Sequence, residues 1–535
     1  MVLARPPSPA VGGVAGFRST PCAQMMRTRR VAVSRARKES LALAGRRTVD
    51  LGSRRGDACA VRAQSVDEWV DEFTDLNDRK SDDPIALPTV SKRKRIILVR
   101  HGQSTWNAEG RMQGSSNNSE LTARGKDQAK VTGDLLKAAK FDATFVSPLR
   151  RAQTTADIVW ANATDKPTIV NALREIDLYS FQGLVKKEAE AAGGQTYETW
   201  KRQPAQFQID GHYPVRELWH RASVAWQEML EDDATNVLVV AHNAVNQALI
   251  CSSVGLPANY FRRFVQSNGA LTVLDFFPTP PTQTVPKVVI DRLNQAPASP
   301  SWSKHKEGSP SMKFILVRHA STDMTEGGII LGTMDESLNK KGKKQAKMIA
   351  DFLSKLKVDK VFSSPTKRTV QSVYQLAKNQ THKEVDVTLK EKLANSYMGE
   401  WQGIPAKKVR GQPPPRDAET LDLLWDRTGE AWEDIIGEAS TQDDKVVVVA
   451  AHAAVISAII CHALELSPAY TSVFRLNPGS MSVIEFPLGV QKGPGQVVTT
   501  NFLSHLGDFA TSATLEADEE AELLDSETCG WDGCT

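Results

Sequence analysis

The chain is poor in cysteine, with six in 535 residues, too few for a disulfide scaffold at this length. Cys251 and Cys461 fall in apolar helical stretches and read as core. No apolar run approaches the ~20 residues of a membrane helix, so no membrane partner is expected. His101 and His242 lack a third ligand at usable spacing and two tail cysteines are too few for zinc, so neither a metal nor another cofactor is expected. Acidic residues are nearly missing from residues 1–64, where twelve Arg and one Lys face only Glu39, Asp50 and Asp57. That segment carries +10, and the rest of the chain therefore carries −7 against a total of +3. A mildly acidic body excludes bulk nucleic-acid binding.

What the chain has is a phrase used twice. Arg100-His101 follows the run Ile96–Val99, and Arg318-His319 follows Phe314–Val317. A short apolar, β-branched run ending in Arg-His predicts a buried strand with a cation and an imidazole at its C-terminal tip. In open α/β sheets that tip is where ligands bind. Further landmarks recur in order: Ser147-Pro148-Leu149-Arg150-Arg151 with Ser364-Pro365-Thr366-Lys367-Arg368, Val237–His242 with Val446–His452, and Asn268-Gly269 with Pro478-Gly479. A repeat of this length is a duplicated domain, since solenoid periods run roughly 20–50 residues.

The organisation follows. Residues 1–64, rich in Arg, Ser and Ala, have the composition of an organelle transit peptide, the alternative being a disordered basic tail. Domains are expected over 92–296 and 312–508, with a linker over 297–311 and an acidic tail over 509–535. In the first domain the patterning predicts strands Ile96–Val99, Ala143–Val146, Val237–Ala241 and Leu271–Phe276, with an edge strand Lys287–Leu293. Helices are expected over Ala123–Lys140, Arg151–Ala161, Arg216–Glu231 and Val245–Val254. Alternation of strands and helices predicts an α/β class: two tandem three-layer α/β/α sandwiches, each around a mostly parallel central sheet.

Arg100, Asn107, Arg151 and His242 are residue types that can surround a phosphoryl group with donors and positive charge. His101 can attack phosphorus as a nucleophile. Glu175, in the loop Leu173-Arg174-Glu175, can protonate a leaving oxygen and then activate water.

Arg100-His101-Gly102-Gln103-Ser104-Thr105-Trp106-Asn107 resembles the signature of the histidine phosphatase superfamily, which includes the cofactor-dependent phosphoglycerate mutases. Ser147–Ala152, Leu173–Gly183 and Ala241-His242-Asn243 are similar to its other conserved segments, and the resemblance spans roughly 94–508. It implies a phosphoric monoester hydrolase with His101 as phospho-acceptor. It further implies phosphate binding by Arg100, Asn107, Arg151 and His242, a proton donor in Glu175, and substrate contact at Gln113 and Gly114. Ile176-Asp177-Leu178 after Glu175 favours hydrolysis over mutase chemistry, in which Arg and an aromatic residue usually follow the acid. A hydrolase of other sugar phosphates or bisphosphates stays open. Arg174–Gly183, Asp210–Leu218 and Val239–Leu249 resemble tandem-domain plant enzymes acting on a phosphorylated sugar acid that inhibits Rubisco. That resemblance implies an anionic phosphorylated sugar or sugar acid as ligand, and the chloroplast stroma, with the mitochondrial matrix as alternative. Arg216 either supplies a further cation to such a substrate or merely opens a helix.

The second copy keeps Arg318, His319, Arg368 and His452 but places Asn395 where Glu175 stands and Thr325 where Asn107 stands. An amide cannot protonate an alkoxide. Either this domain is a non-catalytic binding or regulatory module, or Asp323 or Glu326 substitutes for the acid. In the tail, Cys529 and Cys534 either close a redox-sensitive loop open to a thioredoxin-type reductant or are free thiols.

Overall fold

In a computed structural model, residues 86–161, 166–296, 311–380, 384–441 and 445–507 are described. The transit-peptide segment, nearly all of the linker, and the tail with Cys529 and Cys534 lie outside them. None of the helices among the described residues is long and apolar enough to cross a membrane.

The first half builds β1 (Lys94–Arg100), β2 (Ala143–Val146), β3 (Thr168–Ile169), β4 (Asn236–Ala241), β5 (Leu271–Phe276) and β6 (Val288–Gln295). The second builds β7 (Met312–Arg318), β8 (Lys360–Ser363), β9 (Val387–Leu389), β10 (Val446–Ala451), β11 (Met481–Phe486) and β12 (Gln496–Phe502). β1 and β4 are apolar and buried throughout their central residues, as strands covered by helices on both faces must be. β1, β4, β2 and β3 run parallel, and β5 and β6 close the set antiparallel. The second half repeats this arrangement strand for strand.

Two corrections to the sequence reading come with the topology. The sheets are not separate: they form one twelve-stranded sheet in the order β3-β2-β4-β1-β5-β6-β12-β11-β7-β10-β8-β9. The segment expected as an edge strand is the middle of that sheet, where β6 pairs antiparallel with β12 at Leu293 and Thr500. All eight residues of β6 are buried. Its polar residues look like an edge but are spent across the seam. Arg475, from the second half, donates to Asp291 at 2.9 Å and to Asp275 of β5 at 3.4 Å. Asp275 also takes two bonds from Arg95, both 2.7 Å, and one from Arg93 at 3.1 Å.

Helix boundaries differ from expectation by a few residues. The helix expected to reach Lys140 spans Ala123–Leu135, where the N–H of Leu136 closes on Thr132. Its start is set by Thr122, whose side chain accepts from the N–H of Gly125. Pro214 opens the helix Pro214–Glu231, two residues before the expected start.

Candidate active site

His101 follows β1 directly and His242 follows β4. Because β1 and β4 are parallel neighbours with Arg100 opposite Ala241, the two imidazoles come out side by side. Their ring centroids are 5.0 Å apart and the planes meet at 61°. Both rings are buried. His101 Nδ1 lies 2.7 Å from the carbonyl oxygen of Gly102. A carbonyl can only accept, so Nδ1 carries the proton and Nε2 keeps its lone pair. Burial, then the charges of Arg100 and Arg151, hold His101 well below the usual histidine range, and the ring is neutral at physiological pH. Burial and Arg151 do the same for His242.

Arg151 enters from the first turn of the helix Arg150–Val159. Its guanidinium donates to the carbonyls of Ser116 at 2.6 Å and Gly114 at 2.9 Å. Gly114 has φ +52°, and a Cβ there would sit 2.3 Å from Oε1 of Gln182, so the loop that takes Arg151 needs glycine at that point. Arg100 Nη1 donates to the carbonyl of Gln266 at 2.5 Å. Burial lowers each arginine to about 10, which leaves both charged at pH 7. Three nitrogens in this cluster are buried without a hydrogen-bond partner: Nε of Arg100, Nε of Arg151 and Nδ1 of His242. The two guanidiniums, whose charges act on both rings, thus keep donors that an anion between them can take.

Glu175 is buried at the start of the helix Asn243–Ser253. Its Oε1 accepts from the N–H groups of Ile176 at 2.9 Å, Ala244 at 3.0 Å and Val245 at 3.2 Å. Its Oε2 has a single contact, 3.1 Å from the N–H of Ala244. Asn107 caps its own short helix and accepts from Nδ2 of Asn268 at 3.1 Å. The amide of Gln113 is spent on Ser104 at 2.6 Å and Ser119 at 3.4 Å. Arg216 donates to the carbonyl of Ala205 and to Gln206, over the Tyr213 ring. Among the described residues no hydrogen bond or ion pair joins Arg216 to His101, Arg100, Arg151 or His242. The structure thus brings together His101, Arg100, Arg151, His242 and Glu175, and leaves Arg216 on a neighbouring turn.

Three supporting residues escaped the sequence reading. Arg221 donates to the carbonyls of Arg174 at 2.6 Å and Glu175 at 3.0 Å, clamping the acid loop from behind. Ser147 lies 2.7 Å from Nε2 of His242, which leaves Nδ1 for a ligand. Asn268 donates to the His101 carbonyl and to Asn107, both at 3.1 Å. The repeat carried signals for all three, and Ser364, which matches Ser147, lies 3.0 Å from Nε2 of His452. Arg427 stands five residues before Trp432 as Arg221 stands five before Trp226, and it clamps Lys392 and Ala394 in the same way. Asn268 is replaced by Pro478 in the copy that also loses Asn107.

The segments Arg174–Gly183 and Asp210–Leu218 prove to be bonded to one another. Glu217 accepts from Tyr179 Oη at 2.7 Å and pairs with His212 at 3.0 Å. The Tyr179 and His212 rings stack with centroids 4.1 Å apart. Asp210 accepts from the N–H of Ser180 at 2.9 Å.

In the second half, His319 Nδ1 lies 2.9 Å from the Ala320 carbonyl. The His319 and His452 rings are 5.3 Å apart. Arg368 donates to the carbonyls of Met334 and Gly332 and to Nδ1 of His452 at 3.3 Å. Asn395 does not copy Glu175: its Nδ2 donates to the Gly332 carbonyl at 3.1 Å. Thr325 turns back on Thr322.

Paired imidazoles at parallel strand tips, two buried guanidiniums and an adjacent acid define a phosphoryl-transfer site, here in one full and one reduced copy. The chain belongs to the histidine phosphatase superfamily (branch 1), whose profile matches residues 96–285 and 314–492. It is 38% identical over 484 residues to a 2-carboxy-D-arabinitol-1-phosphatase of Triticum aestivum, covering 87% of this chain and 95% of that protein. It is 37% identical to a probable 2-carboxy-D-arabinitol-1-phosphatase of Arabidopsis thaliana, covering 80% and 91%. Among solved structures, a putative alpha-ribazole-5'-P phosphatase of Escherichia coli aligns with 25% identity and a TM-score of 0.34, over 38% of this chain and 98% of its own. The chain is a phosphoric monoester hydrolase of this superfamily.

Proposed function

We propose that the first domain hydrolyses the phosphate ester of a sugar acid, 2-carboxy-D-arabinitol 1-phosphate, through a phosphohistidine on Nε2 of His101. The observation that carries this reading is the fixed tautomer of His101 beside three unpartnered buried nitrogens. Nε2 attacks phosphorus as the bond to the sugar oxygen breaks, and Glu175 gives that oxygen its proton. Arg100, Arg151, His242 and Asn107 hold the phosphoryl oxygens. Water then attacks the phosphohistidine, Glu175 takes its proton, and phosphate leaves with His101 restored. The substrate is assigned from the two plant relatives. With it come a stromal location in the chloroplast, removal of residues 1–64 as a transit peptide, and release of Rubisco from an inhibitor. The domain limits 92–296 and 312–508 are retained as the units of this proposal.

The second domain is read as non-catalytic. Asn395 offers no proton, and the pair Asn107–Asn268 is replaced by Thr325 and Pro478.

The test is phosphate release from 2-carboxy-D-arabinitol 1-phosphate, 3-phosphoglycerate and fructose 2,6-bisphosphate. Wild type should prefer the first and form an acid-labile phosphoenzyme. His101→Ala should lose both properties, and Glu175→Gln should slow turnover by roughly 10²–10⁴. Turnover by His101→Ala would refute the nucleophile, and preference for another ester would refute the substrate.

A further inference from the structure

Two buried asparagines occupy matching places at the seam. Asn294 of β6 and Asn501 of β12 have left-handed backbones, with φ 50° and 51°, a conformation foreign to a strand. Asn294 Oδ1 accepts from the N–H of Ser267 at 2.6 Å, and its Nδ2 donates across the seam to the carbonyl of Val498 at 2.7 Å. Asn501 Oδ1 accepts from the N–H of Asn477 at 2.7 Å, and its Nδ2 donates back across the seam to the carbonyl of Asp291 at 2.8 Å. The residues before Ser267 and Asn477 are Gln266 and Leu476. Their carbonyls accept from the guanidiniums of Arg100 and Arg318.

In each half, then, the carbonyl that fixes the strand-tip arginine lies one peptide from an asparagine that reaches into the other half. The same loop is tied directly as well: the N–H of Val265 donates to the Val497 carbonyl at 2.9 Å, and the N–H of Val497 to the Arg263 carbonyl at 2.7 Å. The catalytic residues have diverged between the copies, at Glu175/Asn395, Asn107/Thr325 and Asn268/Pro478. The seam asparagines have not, and each keeps its strained backbone. Seam cohesion alone does not require the side chain that crosses the seam to hold the arginine loop as well.

We infer that Asn294 is a positioning residue for Arg100, and that strand β12 of the second domain thereby forms part of the support of the first phosphate pocket. The inference rests on the reading that Arg100 binds the phosphoryl group. It gives the second domain a role in the reaction that needs no chemistry of its own.

The experiment uses the full chain, with the hydrolysed ester as substrate and inorganic phosphate as competing anion. Asn294→Gly accepts the left-handed backbone and removes all three side-chain bonds, the third a 3.3 Å bond from Nδ2 to Ser267 Oγ. It should raise KM and the inhibition constant for phosphate together by about three- to tenfold, the equivalent of one hydrogen bond, with kcat changed less. Asn501→Gly removes the mirror-image bonds and should lower the melting temperature similarly without moving either constant. Asn294→Asp keeps the acceptor for Ser267 but sets an oxygen against the Val498 carbonyl, and should behave as Asn294→Gly. Equal constants in Asn294→Gly and Asn501→Gly, whether shifted or not, would overturn the inference. Wild-type constants in Asn294→Asp would overturn the part assigned to β12. Arg100→Ala separates the two readings. If it leaves KM unchanged, the pocket itself is misread. If it raises KM while Asn294→Gly does not, only the positioning role fails.

Discussion

Replacing Asp275 by asparagine tests how the two halves are held. Its carboxylate is fully buried and takes bonds from Arg95, Arg93 and, across the seam, Arg475. Burial opposes its charge, and Arg95, Arg475 and Arg93 together outweigh burial, holding the carboxyl far below the usual carboxylate range. Asparagine keeps the shape and removes the charge, so the buried guanidiniums lose their main counter-ion. Removing one partner of a buried ion pair costs about 3–5 kcal/mol. At a urea m-value of about 3 kcal/mol/M, Asp275→Asn should lower the unfolding midpoint by about 1–1.7 M. The folded pKa lies below the unfolded value of about 3.9. The stabilisation is therefore complete at neutral pH and is lost as pH falls below about 4. The variant should show a flatter acid limb than wild type when stability is followed by urea titration from pH 7 to pH 3. An Asp275→Asn midpoint within 0.3 M of wild type, the equivalent of about 1 kcal/mol, would refute the reasoning.

Three further outcomes are expected. His319→Ala should leave most phosphatase activity intact, and loss as complete as in His101→Ala would make the second pocket the catalyst. Because His101 is held below the ordinary histidine value of 6.5, its imidazole stays unprotonated as pH falls through that value, so kcat/KM should show no acid limb from this group at pH 6.5. A limb there that persists in Glu175→Gln would belong to the imidazole and would contradict its burial as a neutral ring. Full activity should survive EDTA, since Arg100 and Arg151 supply the charge that a metal would otherwise bring; loss of activity restored by a divalent ion would refute this.

The strand tips were legible because their signal is local. A buried β-branched run followed by Arg-His has few other uses, and the second copy repeats it at Phe314–Val317 and Arg318-His319. The missing acid was legible for the same reason. The seam was not. Asp291, Arg292, Asn294 and Gln295 make β6 look half exposed, yet they are buried because their partners lie some 200 residues further along the chain. Arg221 was hidden in another way. A mid-helix arginine usually reads as a solvated face, and its partners are backbone carbonyls, which leave no trace in side-chain patterning. Arg216 shows the converse: a cation near recognisable motifs invited a ligand, and its bonds run to the turn at Ala205 and Gln206.

Joining the halves through β6 and β12 also decides what the molecule offers to other chains. A long unpaired strand is a template on which a neighbour can add. Here each half turns its eight- or seven-residue outer strand inward against the other. Among the described residues the rims of the sheet are β3 and β9, only two and three residues long. Gene duplication has in effect capped each copy with its sibling, so the sheet ends on stubs too short to recruit a third.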